Sequence, residues 1–228
     1  MRPEVSVADG SRRRPDRLAA ALAAGFIVLL LATELVLSLP DETSTASSVT
    51  AFYAQHRTVI VILQLLGFAA AALFGAYAWR LRSVDRLVSW AGVLTALCAL
   101  VPGLITLVIA LVADPADPTS VARWNSLEPR GDDVLFLGVL LFAVAVTVRL
   151  GRRIPALGVL GLLVAITCLA RLILEAAGHR RGAFEAAGPL SFIILVAVMA
   201  VLSFRGVLGA DTPQPAHDAR PPDRKRKA

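Results

Sequence analysis

The strongest constraint on the fold of this chain is a series of six long stretches that carry few or no charged residues. They lie at about 18–39, 58–79, 87–112, 134–150, 155–176 and 189–204. A helix that crosses ~30 Å of hydrocarbon needs about 20 mostly apolar residues. Because lipid offers no hydrogen-bond partners, the backbone of each stretch must bond within itself, which favours a helix. We therefore predict an all-α fold, a polytopic transmembrane bundle of six spans.

The composition supports the same fold class. Hydrophobic residues make up 57% of the 228 residues, charged residues make up 18%, and the mean hydropathy is +0.70. A soluble domain averages roughly 45–50% apolar and about 25% charged residues. The net charge of +6 could indicate nucleic-acid binding, but the charges flank the apolar stretches. We therefore expect the lipid bilayer to be the main partner, and no nucleic acid.

The basic residues alternate between the two sides of the predicted membrane. Most of the 23 Lys and Arg residues precede the first stretch, follow the sixth, or lie in the turns after the second and the fourth. The loops on the other side carry fewer: Arg57, Arg123, Arg130, Arg180 and Arg181. Such an excess marks the cytoplasmic side. The pattern predicts a multi-pass protein of the cell (inner) membrane with both termini in the cytoplasm.

Polar segments flank the predicted membrane domain, which covers 18–206. Residues 1–17 form a basic arm and residues 207–228 a Pro-rich tail, both predicted to be disordered. The tail ends in a basic cluster that we expect to lie against anionic lipid at the cytoplasmic face: Arg224, Lys225, Arg226 and Lys227. The string SRRRPDR before the first apolar stretch also resembles a twin-arginine signal peptide. The length of that stretch favours a retained span, and cleavage stays an open alternative.

Four polar residues inside the spans form the candidate binding site. Counting along each helix puts them at similar depth in the outer half of spans one, two and five: Glu34, Gln64, Arg171 and Glu175. A charged residue in the middle of a membrane helix costs roughly 2.5–3.5 kcal/mol, so it usually faces other helices. The favoured interpretation is that the charged side chains extend to the outer interface, as charged residues near helix ends often do. The alternative is an outward-facing polar pocket in which Glu34 pairs with Arg171.

Local signals predict how individual spans start and bend. Pro102 should kink span three, because proline lacks the N–H that a helix needs. Asp132 and Asp133 are placed to cap span four, and Gly188-Pro189 to open span six. Aromatic residues at the inner interface form a predicted belt: Tyr77, Trp79 and Trp90.

Catalytic and metal-binding motifs are missing from the sequence. It has no His-Glu-x-x-His, no Gly-x-Ser-x-Gly and no phosphate-binding loop. The three histidines, His56, His179 and His217, lie outside the spans, so none is placed to hold a haem within the bundle. We expect no cofactor, no metal and no enzymatic activity. The favoured role is an accessory or interaction protein; the alternative is a small transporter or sensor that uses the polar pocket.

Two segments carry a resemblance to a known group of proteins. They are AFYAQHRTVIVILQLLGFAAAALF, after the first outer loop, and RLGRRIPALGVLGLL, before span five. With the strong preference for Arg over Lys, they resemble uncharacterised six-span membrane proteins of high-GC bacteria, which belong to families whose domains have no known function. The resemblance covers about 18–205. It implies an inner-membrane location and six helices, and it implies no catalytic or binding residues.

Overall fold

The computed structural model describes residues 16–37, 45–114, 116–178 and 183–208. The basic cluster Arg224–Lys227 and most of the N-terminal arm lie outside these described residues. Within the described ranges the regular structure is helical, with a short 3₁₀ turn at Leu81–Ser83 and eight α-helices. The helices are α1 (Arg17–Val36), α2 (Ala46–Arg80), α3 (Arg86–Cys98), α4 (Leu100–Val112), α5 (Pro118–Asn125), α6 (Glu128–Arg149), α7 (Pro155–Ala176) and α8 (Ala183–Phe204).

Six helical segments in the described part of the chain are long and apolar enough to cross a membrane. Span one is α1, span two is α2, span three is α3 with α4, span four is α6, span five is α7 and span six is α8. The backbone N–H of Asp16 donates to the carbonyl of Ser203 at 3.2 Å. The start of span one therefore lies beside the end of span six. The predicted class, an all-α polytopic bundle of six spans, is confirmed.

The spans contact one another in chain order. Helix α1 packs on α2, α2 packs on α3 and α4, and these two pack on α6; α6 packs on α7, and α7 on α8. Helix α8 also packs on α1. Each span therefore has its sequence neighbours beside it, and the contacts close into a ring.

Aromatic side chains fill the middle of this ring. Four phenylalanines from spans one, two, four and six contact each other, with ring centroids 5.0 to 6.1 Å apart. Most of the pairs are edge-to-face, the arrangement that the charge distribution of aromatic rings favours. The four are Phe26, Phe74, Phe142 and Phe192, and each is at least nine-tenths buried.

Small residues allow the spans to approach closely. A Cβ atom at Gly138 of α6 would come within 2.9 Å of the Cys98 Cβ and 3.1 Å of the Thr95 Cα on α3. The Thr95 hydroxyl donates to the Gly138 carbonyl at 2.8 Å. Close packing of small residues and hydrogen bonds across helices are the main attractive forces between helices in lipid. This contact therefore fixes span three against span four.

Span three is interrupted, as Pro102 predicts. Helix α3 ends at Cys98, and α4 begins at Leu100. Proline cannot donate to the carbonyl four residues earlier, which is that of Cys98, and its ring crowds that carbonyl. Ala99 itself keeps helical backbone angles, and its N–H donates to the Thr95 carbonyl at 2.9 Å, so the irregularity is confined to the hydrogen bond that Pro102 cannot make. The prediction that Gly188-Pro189 opens the helix of span six is wrong, because α8 begins at Ala183 and Pro189 lies inside the helix.

One end of the bundle is rich in arginine, and we call it the basic end. Eight of the described arginines lie there: Arg17, Arg80, Arg82, Arg86, Arg149, Arg152, Arg153 and Arg205. Two aspartates there cap helices. Asp16 caps α1 and pairs with Arg80 at 2.9 Å, and Asp85 caps α3 and pairs with Arg149 at 2.9 Å. Partial burial raises the pKa of both carboxyls, but backbone N–H and arginine hydrogen bonds outweigh it and leave each pKa below its usual value.

Candidate functional site

The main polar site inside the bundle is centred on Arg171 of α7. This residue is 1% exposed, the largest fully buried side chain among the described residues. Its Nη1 donates to Oδ1 of Asp133 at 2.8 Å, and its Nη2 lies 3.8 Å from Oδ2 of Asp132. The side chains of the two aspartates are each 32% exposed. A buried cation thus faces two carboxylates that reach water.

Helix α6 supplies the groups that hold this arginine. The helix begins at Glu128 after Leu127, whose side chain makes no capping hydrogen bond. Asp132 and Asp133 lie inside the helix, so the prediction that they cap span four is wrong. They remain close to the helix N-terminus, where the helix dipole stabilises negative charge. Both lie in the second turn of α6, so Arg171 and not the helix end is the partner that the structure shows for them.

Phe136 forms the floor of the site. It lies about one turn after Asp132 and Asp133 on α6, and the Arg171 Cζ is 3.9 Å from the centre of its ring. A guanidinium over an aromatic face is attracted by the negative charge of the ring, more strongly when water is absent. A Cβ atom at Gly188 of α8 would come within 2.6 Å of the Phe136 Cε1. Gly188 therefore lets span six close over the ring.

One donor of Arg171 remains unused. Its Nε is buried and has no hydrogen-bond partner among the described residues, a property it shares with the hydroxyls of Tyr53 and Tyr77. An unsatisfied buried donor costs about 1–3 kcal/mol, and more when the group is charged. The site can therefore accept a further hydrogen-bond acceptor at Nε.

The structure does not assemble the predicted four-residue pocket. Glu34 is exposed on α1, which packs on α2 and α8, so the predicted Glu34–Arg171 pair is wrong. Gln64 of α2 lies against α4, where a Cβ at Gly103 would be 3.1 Å from its Oε1. Glu175 lies one turn from Arg171 on α7 and is half-buried. Of the four residues, Arg171 and Glu175 share one region, and Gln64 and Glu34 lie elsewhere.

Sequence reasoning placed Asp132 and Asp133 at a helix end and missed their role as partners. The available signal was two adjacent acidic residues at the start of an apolar span, at the same end as a lone arginine on the next span. In the described part of the chain, no group of three or more His, Cys, Asp or Glu side chains could hold a metal ion. The candidate site is therefore an ion-pair site.

The fold and this site define a multi-pass helical membrane protein with a buried arginine between spans four, five and six. Comparison with family models, curated proteins and solved structures finds no match to the chain.

Proposed function

We propose that the chain is a multi-pass protein of the cell membrane with both termini in the cytoplasm, and that it acts as a non-enzymatic accessory or interaction protein. The orientation rests on the basic end, because excess arginine in the short loops marks the cytoplasmic side. Asp16 and Ser203, which contact each other, put the start of span one and the end of span six at that end.

The role of an interaction protein is supported by one observation: phenylalanine side chains fill the centre of the ring of six spans. Secondary transporters hold their substrates near the middle of the bilayer, between helices that leave room for them. In this chain the phenyl rings of spans one, two, four and six contact each other there. Surfaces facing lipid and the two ends of the bundle are then the places where a partner binds.

A second candidate function, a sensor or small transporter with an outward-facing site, is favoured by Arg171. Ionisable residues buried within membrane spans are rare and often functional. The unused Nε and the partly exposed carboxylate of Asp133 give a ligand both a donor and an acceptor. On this proposal the site lies between spans four, five and six, and no longer between spans one, two and five.

A deletion strain of the native host separates the two candidates. Membrane proteomics and metabolite and lipid profiling are compared for the deletion strain carrying the wild-type chain, Arg171→Gln or no insert. An accessory role predicts that a partner membrane protein falls in abundance on deletion and that Arg171→Gln restores it. A sensor predicts that Arg171→Gln accumulates normally and fails to restore the wild-type profile.

The control is Arg149→Gln, which removes an ion-paired arginine of α6 at the opposite end of the bundle. It should restore the profile under either candidate. An unchanged membrane proteome, together with the accumulation of one small solute, would contradict the accessory role and favour transport.

A further inference from the structure

A groove at the basic end has a distinct chemical character. It lies where α2 ends and α3 begins, and its volume is about 450 Å³. Ligand sites commonly have volumes of about 300–1,000 Å³. Two tryptophans, two arginines and two serines line it: Trp79, Arg82, Ser83, Arg86, Ser89 and Trp90.

The two tryptophans form the apolar wall of this groove. Their ring centroids are 5.9 Å apart in an edge-to-face arrangement, and they are 46% and 61% exposed. The belt predicted from the sequence is therefore formed by Trp79 and Trp90, whereas Tyr77 is fully buried in the core. Tryptophan is enriched at the headgroup level of membranes, because its ring is apolar and its N–H polar.

The two arginines bring positive charge that no described carboxylate neutralises. At the basic end Asp16 is paired with Arg80 and Asp85 with Arg149. In the described ranges neither Arg82 nor Arg86 forms an ion pair, and the Arg82 Cζ lies 4.7 Å from the centre of the Trp79 ring. A guanidinium so placed is attracted by the face of the indole ring, and no described carboxylate occupies its N–H groups. The N–H fork of a guanidinium binds phosphate oxygens in pairs.

Below the groove, the outer face of α3 continues as an exposed apolar stripe. Trp90, Leu94 and Leu97 follow at helical spacing and are 61%, 44% and 57% exposed. A headgroup at the arginines would therefore extend its acyl chains over this stripe. An inorganic anion or a soluble phosphate compound would use the arginines but would leave the tryptophans and leucines without contact.

We propose that this groove binds one anionic glycerophospholipid, with its phosphate at Arg82 and Arg86 and an acyl chain along Trp90, Leu94 and Leu97. The two uncompensated arginines favour an anionic headgroup over a zwitterionic one. Each basic residue near an anionic surface contributes enough to change binding by roughly fivefold. This lipid is distinct from the lipids expected at the basic tail, because it occupies a groove formed by folded helices.

Tryptophan fluorescence tests the proposal directly. The chain has three tryptophans, so Trp124→Phe leaves only the two that line the groove. The full-length protein in this background is placed in nanodiscs of phosphatidylcholine that contain a small fraction of brominated phosphatidylglycerol or, in parallel, brominated phosphatidylcholine. Bromine quenches tryptophan at short range. We expect stronger quenching by the phosphatidylglycerol, and half-quenching at roughly 25-fold less lipid, about fivefold for each of the two arginines.

Two pairs of substitutions locate the effect. Arg82→Gln with Arg86→Gln should abolish the preference for phosphatidylglycerol. Arg152→Gln with Arg153→Gln removes the same charge from exposed positions of another turn at the basic end. This pair should keep the preference for phosphatidylglycerol. Each variant is compared with itself in unbrominated lipid, because Arg82 contacts Trp79 directly. Unchanged far-ultraviolet circular dichroism and SDS-unfolding midpoints show that the variants are folded.

Three results would overturn the proposal. Equal quenching by the two brominated lipids would mean that the groove has no headgroup preference. An equal loss of the phosphatidylglycerol preference in both double arginine variants would mean that diffuse surface charge attracts the lipid. Quenching that appears only after residues 209–228 are removed would mean that the tail of the chain occupies the groove.

Discussion

Replacing Asp133 should destabilise the bundle, and this loss should depend on Arg171. The hydrogen bond between them is 2.8 Å long and joins two charged groups, an interaction worth about 1.5–3 kcal/mol in proteins generally. Polar contacts between membrane helices are weaker, ~0.6 kcal/mol on average and at most ~1.7. The Asp133 side chain is also 32% exposed, which screens the pair. We therefore expect a coupling free energy of about 0.6–1.7 kcal/mol.

A double-mutant cycle measures this coupling. Asp133→Asn, Arg171→Gln and the double variant are unfolded by SDS in mixed micelles, followed by circular dichroism, and the double variant should lose less than the sum. The matched control is Glu34→Gln, since Glu34 is an exposed acidic residue on α1. The free energy of unfolding that Glu34→Gln removes should add to the amount that Arg171→Gln removes, within about 0.5 kcal/mol. The assignment of Asp133 as the partner of Arg171 would be refuted in two cases. In one, the losses of Asp133→Asn and Arg171→Gln are additive; in the other, Glu34→Gln couples to Arg171→Gln as strongly as Asp133→Asn does.

Asp132 provides a second, graded control. Its oxygen lies 3.8 Å from the Arg171 Nη2, which is too long for a hydrogen bond. Partly exposed pairs of this kind contribute at most about 1 kcal/mol. In the same double-mutant cycle, Asp132→Asn should therefore show a smaller coupling with Arg171→Gln than Asp133→Asn does. The opposite order would mean that the two carboxylates exchange roles in the membrane.

The remaining predictions concern helix contacts, pH dependence, orientation and the tail. Gly138→Ala should destabilise the bundle by about 1–3 kcal/mol, because its Cβ would come within 2.9 Å of α3. Gly67→Ala, whose Cβ meets nothing within 4 Å, should stabilise it by up to about 1 kcal/mol; both changes are measured by the same SDS unfolding. Asp85→Ala should cost about 1 kcal/mol near pH 7 through loss of the cap of α3. The folded pKa of Asp85 is below the unfolded value, so this difference should shrink as the pH falls from about 4 through the folded pKa, and a difference constant with pH would contradict it. Deletion of 211–228 should leave membrane insertion intact, which fractionation and immunoblotting measure, and loss of the protein would mean that the tail is structural. Reporter fusions should score cytoplasmic after Arg82, after Arg153 and at the C-terminus, and outside near Ala46, Asn125 and Gly182; an outside C-terminus would contradict the six-span topology.

The six spans could be predicted because lipid imposes one rule on every residue of a span. A backbone without water must bond to itself, so length and hydropathy alone mark each helix. The interruption at Ala99 followed in the same way from Pro102. Both inferences depend on local chemistry, which a single stretch of sequence contains in full.

The partner of Arg171 could not be predicted from depth. Counting residues gives the height of a side chain in the bilayer, and Glu34 and Arg171 have similar heights. It gives no information on position around the ring, where α1 contacts α2 and α8, and α7 contacts α6 and α8. Short connections usually place consecutive helices side by side. That rule would have directed the search to span four, where Asp132 and Asp133 lie at the same end.

Only part of the tryptophan groove could be predicted from the sequence, for a related reason. Tyr77 and Trp79 are two residues apart, which separates them by about 200° around a helix. One of them must face the core when the other faces outward, so a single belt could not contain both. The volume of the groove and the stacking of Arg82 depend on how the turn at Leu81–Ser83 sets α2 against α3. That geometry requires the folded chain.

The two ends of the bundle use arginine in opposite ways, and this difference links the two proposals. At the end near the start of α6, Arg171 is buried and held by two carboxylates of its own chain. At the basic end, the described aspartates pair with Arg80 and Arg149, and the other arginines remain open to charge from outside the protein. An anionic lipid bound there would hold the basic end at the cytoplasmic leaflet, where such lipids are concentrated. The groove and the positive-inside pattern would then stabilise the same orientation, which leaves the site at Arg171 facing the opposite side of the membrane.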